Sequence, residues 1–220
     1  MVNSYLAHYG VKGMKWGVRK DRHVSGLSRR AKTGNLNLFG LDGHNALFIT
    51  GLSGSGKSTI AIELAPKINA EIIHLDSYFE KAGSGNNKDF NSFLKKNGVT
   101  KEKMFINGKL NYSESDKILP LIKKYPKRVI VEGVQLLDNT LSDSARDFLR
   151  NEPMISLQVA KSLSTKRAMD RDDVPMEKIN EMLEQANEAY KRKTEMEKEL
   201  GLSIGKNYVD QLIKERVKND

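Results

Sequence analysis

The chain has 220 residues, with 37 Lys and Arg against 28 Asp and Glu, a formal net charge of +9, and no cysteine. That length supports one α/β domain with a substantial core plus an appendage, and the lack of cysteine excludes disulfides, thiolate catalysis and cysteine zinc sites together. No apolar run reaches the length of a membrane span and the N-terminus lacks the apolar core of a secretory signal, so the sequence reads as a soluble cytoplasmic protein without a membrane partner.

The positive charge sits at one end. Residues 1–34 hold eight basic residues against Asp21 alone, and the remainder is near balance with 29 basic and 27 acidic residues. Residues 1–42 are rich in Gly, Ser, Asn and basic side chains without a sustained period, which predicts a flexible arm before a globular domain over 43–220. Such an arm suits a nucleic acid or another acidic surface, or is merely solvated. Within it, His8-Tyr9-Gly10-Val11-Lys12-Gly13-Met14-Lys15-Trp16-Gly17-Val18-Arg19 carries the single tryptophan. This segment resembles a short HxGVKGMKWGVR element found at the ends of otherwise unrelated proteins of bacteriophages and prophages of Gram-positive bacteria. The resemblance implies an appended docking peptide, a phage structural partner and, besides the host cytoplasm, association with the virion.

Ala46-Leu47-Phe48-Ile49-Thr50 reads as a buried strand, and Ile60-Ala61-Ile62-Glu63-Leu64-Ala65 as part of a helix over 58–68. Between them stands Gly51-Leu52-Ser53-Gly54-Ser55-Gly56-Lys57-Ser58-Thr59, a complete GxxxxGK[ST] phosphate-binding pattern in the strand, loop, helix setting it requires. Its glycines let backbone N–H groups face phosphate oxygens without an intervening side chain. A flexible Gly/Ser linker would need neither flank. The pattern makes Gly51, Ser53, Gly54, Ser55, Gly56, Lys57, Ser58 and Thr59 a nucleotide site. Lys57 reaches for the β- and γ-phosphates of ATP, and the Ser58 hydroxyl for Mg²⁺.

Further along, 71–75, 128–132 and 154–159 read as strands, and 113–125 and 140–150 as helices, with Pro120 bending or dividing the first of these. Residues 81–111 read as a polar, acceptor-covering insertion with a short helix over 89–96. The segment 161–173 reads as a basic lid helix, and 175–200 as a charged helix ended by Gly201. Met176, Ile179, Leu183, Ala186 and Tyr190 form an apolar stripe along that last helix, expected to be packing surface. The alternation predicts an α/β, three-layer P-loop fold with a mainly parallel sheet and helices on both faces.

In such a sheet the reacting crevice lies beyond the carboxyl ends of the strands. Asp76 follows the strand over 71–75 and is placed to take a hydroxyl proton; the alternative is a turn or helix cap. Glu132 ends the strand over 128–132, where a hard oxygen would hold Mg²⁺; the alternative is an acid paired with Arg128 or Lys127. Arg167 and Arg171 are four apart on one helix face and could converge on a transferring phosphoryl group, or pair with Asp170, Asp172 and Asp173. His74 reads as a packed or hydrogen-bonded strand-end residue without metal-ligand spacing. Tyr78 and Phe79 wall an acceptor pocket or belong to the core.

Taken together, GLSGSGKST, HLDSYF, RVIVEGVQLL and TKRAMDRD resemble the uridine kinase and phosphoribulokinase group of P-loop small-molecule kinases over residues 45–173. The resemblance implies Asp76 as base, Glu132-Gly133 at the metal, and an arginine-rich lid from Arg167 to Asp172. It also implies nucleoside binding within 81–111, where Asp89 and Phe90 match and join Tyr78 and Phe79 as acceptor-binding residues. The loop itself is similar to that of adenylylsulfate kinase. Polynucleotide kinases and zeta-type toxins share the loop and a following Asp, with an Arg soon after where this chain has Tyr78 and Phe79. The expectation is a Mg·ATP-dependent kinase acting on a small-molecule hydroxyl, with a nucleoside as first acceptor. The alternatives are a polynucleotide or sugar-nucleotide acceptor, or a non-enzymatic nucleotide-binding virion or assembly protein.

Overall fold

In chain order the elements are β1 (Arg30–Gly34), β2 (Ala46–Thr50), α1 (Lys57–Leu64), β3 (Glu71–His74), α2 (Lys88–Lys96), β4 (Phe105–Ile106), β5 (Lys109–Leu110) and α3 (Tyr112–Lys124). They continue with β6 (Val129–Glu132), α4 (Asp143–Arg150), β7 (Met154–Gln158), α5 (Lys161–Asp172), α6 (Ile179–Glu199) and β8 (Ser203–Gly205). The computed structural model describes residues 30–34, 41, 43–75, 88–99, 105–106, 109–110, 112–138 and 141–205. Asp76, Tyr78, Phe79, the segment around Trp16 and residues 206–220 lie outside them.

Six strands form one sheet in the order β3-β6-β2-β7-β1-β8. The first four run parallel, with β2 between β6 and β7, as strands with near-continuous apolar runs require. Successive residues of each strand point to opposite faces. Ala46, Phe48, Val129, Val131 and Met154 therefore meet α2, α3, α4 and the end of α6 through Phe90, Leu94, Ile118, Ile122, Leu149 and Met196. On the other face, Leu47, Ile49, Ile130, Ile155 and Leu157 meet α1 through Ile60, Ala61 and Leu64. The molecule is thus a three-layer α/β P-loop fold, and the carboxyl ends of four parallel strands share one edge. Among the described residues, no helix is long and apolar enough to cross a membrane.

The sequence-based boundaries shift in three places. Arg30–Gly34 is not part of an arm: it is β1, antiparallel to both β7 and β8. Pro120 does not divide α3, which runs on through it with the proline exposed. The stripe over 176–190 is not packed as a whole: Met176, just before α6, is 81% exposed, Leu183 44% and Tyr190 45%, whereas Lys193, Met196 and Glu197 are the α6 residues buried against the body. Other limits agree closely with expectation. Ser142 caps α4 by accepting from the Ala145 N–H at 3.2 Å, and Gly201, at φ 67, follows the end of α6.

A buried polar cluster fastens β1, β7 and α6 together. Glu197, 1% exposed, accepts from Lys193, Ser156 and Gln158, the last at 2.8 Å, and pairs with Lys32 of β1 at 2.8 Å. Lys193 also donates to Gln158 Oε1 at 3.3 Å. Burial opposes ionisation of Glu197, but hydrogen bonds from Lys193, Lys32 and Ser156 outweigh it and hold its pKa below the ordinary carboxylate value. Burial is also the largest influence on Lys193, lowering its pKa against the pull of Glu197.

Glu197→Gln leaves two ammonium groups around an uncharged amide, and removal of one partner from a buried pair costs about 3 kcal/mol. Because the folded-state pKa of Glu197 is depressed, its contribution is present above the unfolded-state pKa and fades as pH falls through the folded one. Urea unfolding of both proteins should show a gap of that size at neutral pH, narrowing in acid. A pH-independent gap would mean that Glu197 acts through packing alone.

Candidate active site

The loop between β2 and α1 holds three glycines with positive φ, Gly51 at 148° and, at the turn itself, Gly54 at 76° and Gly56 at 93°. Gly54 is also pressed against α5. A Cβ added there would lie 2.3 Å from the Ser164 carbonyl oxygen and 3.2 Å from Cβ of Arg167. Gly56 has open space at that position and stands before α1, whose first turn receives no side-chain cap. The first N–H groups of that helix thus have no side chain competing for them, and its dipole favours an anion at the same point.

Lys57 is buried, and its ammonium donates to the Leu52 carbonyl at 3.2 Å within the same loop. Ser53 and Thr59 are half-buried on either side of the turn. The Ser55 hydroxyl is buried without a hydrogen-bond partner among the described residues. Gly51 completes the turn by admitting that hydroxyl, since a Cβ there would stand 2.7 Å from it.

Parallel pairing brings a second group of residues to this loop. His74 stands opposite Glu132 in the β3–β6 ladder, and Ile49 stands opposite it in the β2–β6 ladder. Ser58 Oγ donates to Glu132 Oε1 at 3.1 Å, and His74 Nδ1 is hydrogen-bonded to the same oxygen. Glu132 is 3% exposed, and its Oε2 has no partner among the described residues. A buried unsatisfied acceptor of this kind costs about 1–3 kcal/mol, more when charged, and a cation would offset that cost. A serine hydroxyl beside one carboxylate, next to a phosphate loop, is a donor set that fits Mg²⁺, which keeps several waters and takes its remaining ligands from phosphates. His74 emerges as the residue that orients Glu132, a role set by strand register.

α5 closes the loop from outside. Arg167 is half-buried and begins beside Gly54, whereas Lys166 is exposed. Arg171 lies on the same helix, its side chain outside the described residues. Asp173, at φ 47, ends the helix. The carboxylate of Asp76 falls two residues beyond His74, outside the description.

Asp89 and Phe90 are not brought to this edge. Lys127, which precedes β6, bonds both Asp89 at 2.7 Å and Glu71 at 2.5 Å, and Glu71 is the first residue of β3. That places Asp89 at the amino end of the parallel strands, opposite the phosphate loop, where its hydrogen bond from Lys127 holds its pKa below the usual value. Phe90 is a core residue, edge-on to Tyr125 at 5.2 Å. The two therefore serve packing and a surface ion pair rather than an acceptor pocket.

Comparison with known proteins gives three results. Residues 1–23 match a family model described as "Family of unknown function (DUF7211)". The search of curated proteins gives no match. Among solved structures, the chain is similar to shikimate kinase from Acinetobacter baumannii in complex with shikimate, with a TM-score of 0.49 and 15% identity, covering 80% of this chain and 94% of that one. It is also similar to a gluconokinase from Sinorhizobium meliloti 1021, with a TM-score of 0.40 and 16% identity, covering 80% of this chain and 97% of that one.

Gly54 and Gly56 allow a controlled comparison. Gly56→Ala should cost only the strain of a positive φ, about 1 kcal/mol, because its surroundings are open. Gly54→Ala carries the same strain and also drives its methyl into α5, so thermal unfolding should show a clearly larger loss. Equal losses would mean that α5 does not rest on the loop in solution.

Proposed function

We propose that the protein is a Mg·ATP-dependent phosphotransferase that moves the γ-phosphoryl group to a hydroxyl of a small molecule. The observation that carries this reading is the contact between Ser58 and the buried Glu132, whose other carboxylate oxygen has no partner among the described residues, beside the loop of Lys57. Loop N–H groups and Lys57 hold the phosphates, and Ser58 with Glu132 hold Mg²⁺, which when bound neutralises phosphate charge. Asp76 accepts the hydroxyl proton. The acceptor oxygen bonds to the γ-phosphorus as the bond from that phosphorus to the β,γ-bridging oxygen breaks, and ADP leaves with the electron pair. Arg167, with Arg171 on the same helix, faces the charge of the group in transit. The resemblance of the four motifs to uridine kinases makes a nucleoside the first acceptor to test, and the cytoplasm, where ATP is abundant, the natural compartment.

ADP release from ATP and Mg²⁺ should be stimulated by one acceptor from a panel of nucleosides, sugars and oligonucleotides, with Lys57→Ala as blank. Asp76→Asn should lower that turnover by about 10²–10⁴-fold, the usual contribution of a positioned base, with ATP affinity retained. Unchanged turnover removes Asp76 from the mechanism. Deletion of residues 1–29, which stops before β1, should leave small-molecule transfer intact; loss of transfer confined to oligonucleotides would identify a nucleic-acid end as the acceptor. ATP binding without stimulation by any acceptor would favour a switching or structural role in phage assembly.

A further inference from the structure

A cavity of about 340 Å³ lies between the phosphate loop, α5 and α6. Leu52 and Ser53 of the loop form one wall, and Val134, two residues beyond Glu132, forms part of another. Ala168 of α5 and Met182 and Ala186 of α6 line the remaining sides. The cavity thus adjoins the loop that carries Lys57 and the strand end that carries Glu132, while Asp89 of α2 lies at the opposite end of the sheet.

We propose that this cavity, and not the surface around Asp89 and Phe90 of α2, receives the phosphoryl acceptor, and that the acceptor is an uncharged hydroxylic compound with one apolar face. The proposal rests on the phosphotransferase reading. The volume is near the lower end of small-molecule pockets and suits a compact ring-bearing molecule. The walls are largely aliphatic. Their polar groups are hydroxyls and an amide, Ser53, Ser164, Thr165 and Gln185, able to orient an alcohol. Among the described residues the charged lining groups are Asp172 and Glu181 against Lys178, and Glu181 already accepts from Gln185 Nε2 at 3.1 Å. An acceptor bearing a phosphate or carboxylate would be desolvated against apolar walls, with more negative than positive charge among the described lining groups, whereas a neutral one would not. Arg167, which packs beside Gly54 of the loop, is not among the lining residues.

The natural chain has no cysteine, so Ala186→Cys places a unique thiol on the cavity wall and Glu188→Cys a control on the exposed side of the same helix. The probes are benzyl methanethiosulfonate and its 4-carboxybenzyl counterpart, which share the benzyl group and differ by one para carboxylate. The ratio of benzyl to carboxybenzyl rates should be about tenfold higher at position 186 than at 188, since only the former requires an anion to shed water. Equal ratios overturn the assignment to neutral compounds, and Ala189→Cys on the same wall serves if the first variant does not fold. Next, the benzyl-labelled cavity variant should lose acceptor-stimulated ADP release by about 100-fold through exclusion of the bound acceptor, with affinity for a fluorescent ATP analogue retained. The labelled control should keep its turnover. Full turnover with a filled cavity, or stimulation by phosphorylated or carboxylated acceptors alone, overturns the proposal. If no acceptor stimulates the unmodified protein although ATP binds, the phosphotransferase reading fails and the acceptor role with it. The reagent ratios then stand as a property of the cavity only.

Discussion

The arrangement of the site depends on one carboxylate placed where the surrounding strand is wholly apolar. Val129, Ile130 and Val131 are fully buried between β2 and β3, and Glu132 follows them still buried. Its charge can be tolerated there only with polar partners close by. Two come from separate elements: Ser58 from the first turn of α1 and His74 from the end of β3. Both bond the same oxygen, so the second oxygen has no partner among the described residues. Parallel strands that end together make this possible, since register alone sets His74 opposite Glu132 and the phosphate loop one strand away.

The outer part of the sheet obeys a different logic. β1 offers few apolar groups, and Lys32 would be costly there without Glu197. Antiparallel ladders to β7 and β8, together with a carboxylate shared by two lysines, hold this strand and the last turns of α6 in a single arrangement. α6 is anchored at its far end by Met196, Glu197 and Leu200, and its nearer turns face α5 and the cavity. Anchoring by a polar network rather than by apolar area alone fixes rotation of the helix as well as its position, and so determines which of its side chains line the cavity.

α5 links the two halves. Its backbone meets Gly54 at a distance that excludes any side chain, and the same helix forms a cavity wall through Thr165 and Ala168. Movement of α5 would therefore alter the phosphate loop and the cavity at once, a coupling carried by direct packing.

The phosphate loop was legible in the sequence because its chemistry is local: the positions of Gly54 and Gly56, the strand before and the helix after need no distant residue to be recognised. Glu132 was legible for a similar reason, as an acid closing an apolar run in a sheet whose parallel sense follows from alternating elements. Strand β1 was not, because Arg-Ala-Lys-Thr-Gly has no apolar period and owes its place to ladder bonds and to Glu197, 165 positions beyond Lys32. Asp89 and Phe90 were misplaced because a motif match specifies residue types and order, whereas the direction in which α2 returns across the sheet decides which end they reach. The exposure of Met176, Leu183 and Tyr190 was equally out of reach, since a helical stripe states that a face is apolar and not what covers it. Sequence by itself thus determined the loop, the core strands and which residues stand at their ends, through interactions between near neighbours. Which distant side chains share a pocket, an ion pair or an edge was decided only by tertiary packing, because those contacts depend on the three-dimensional register of separate elements.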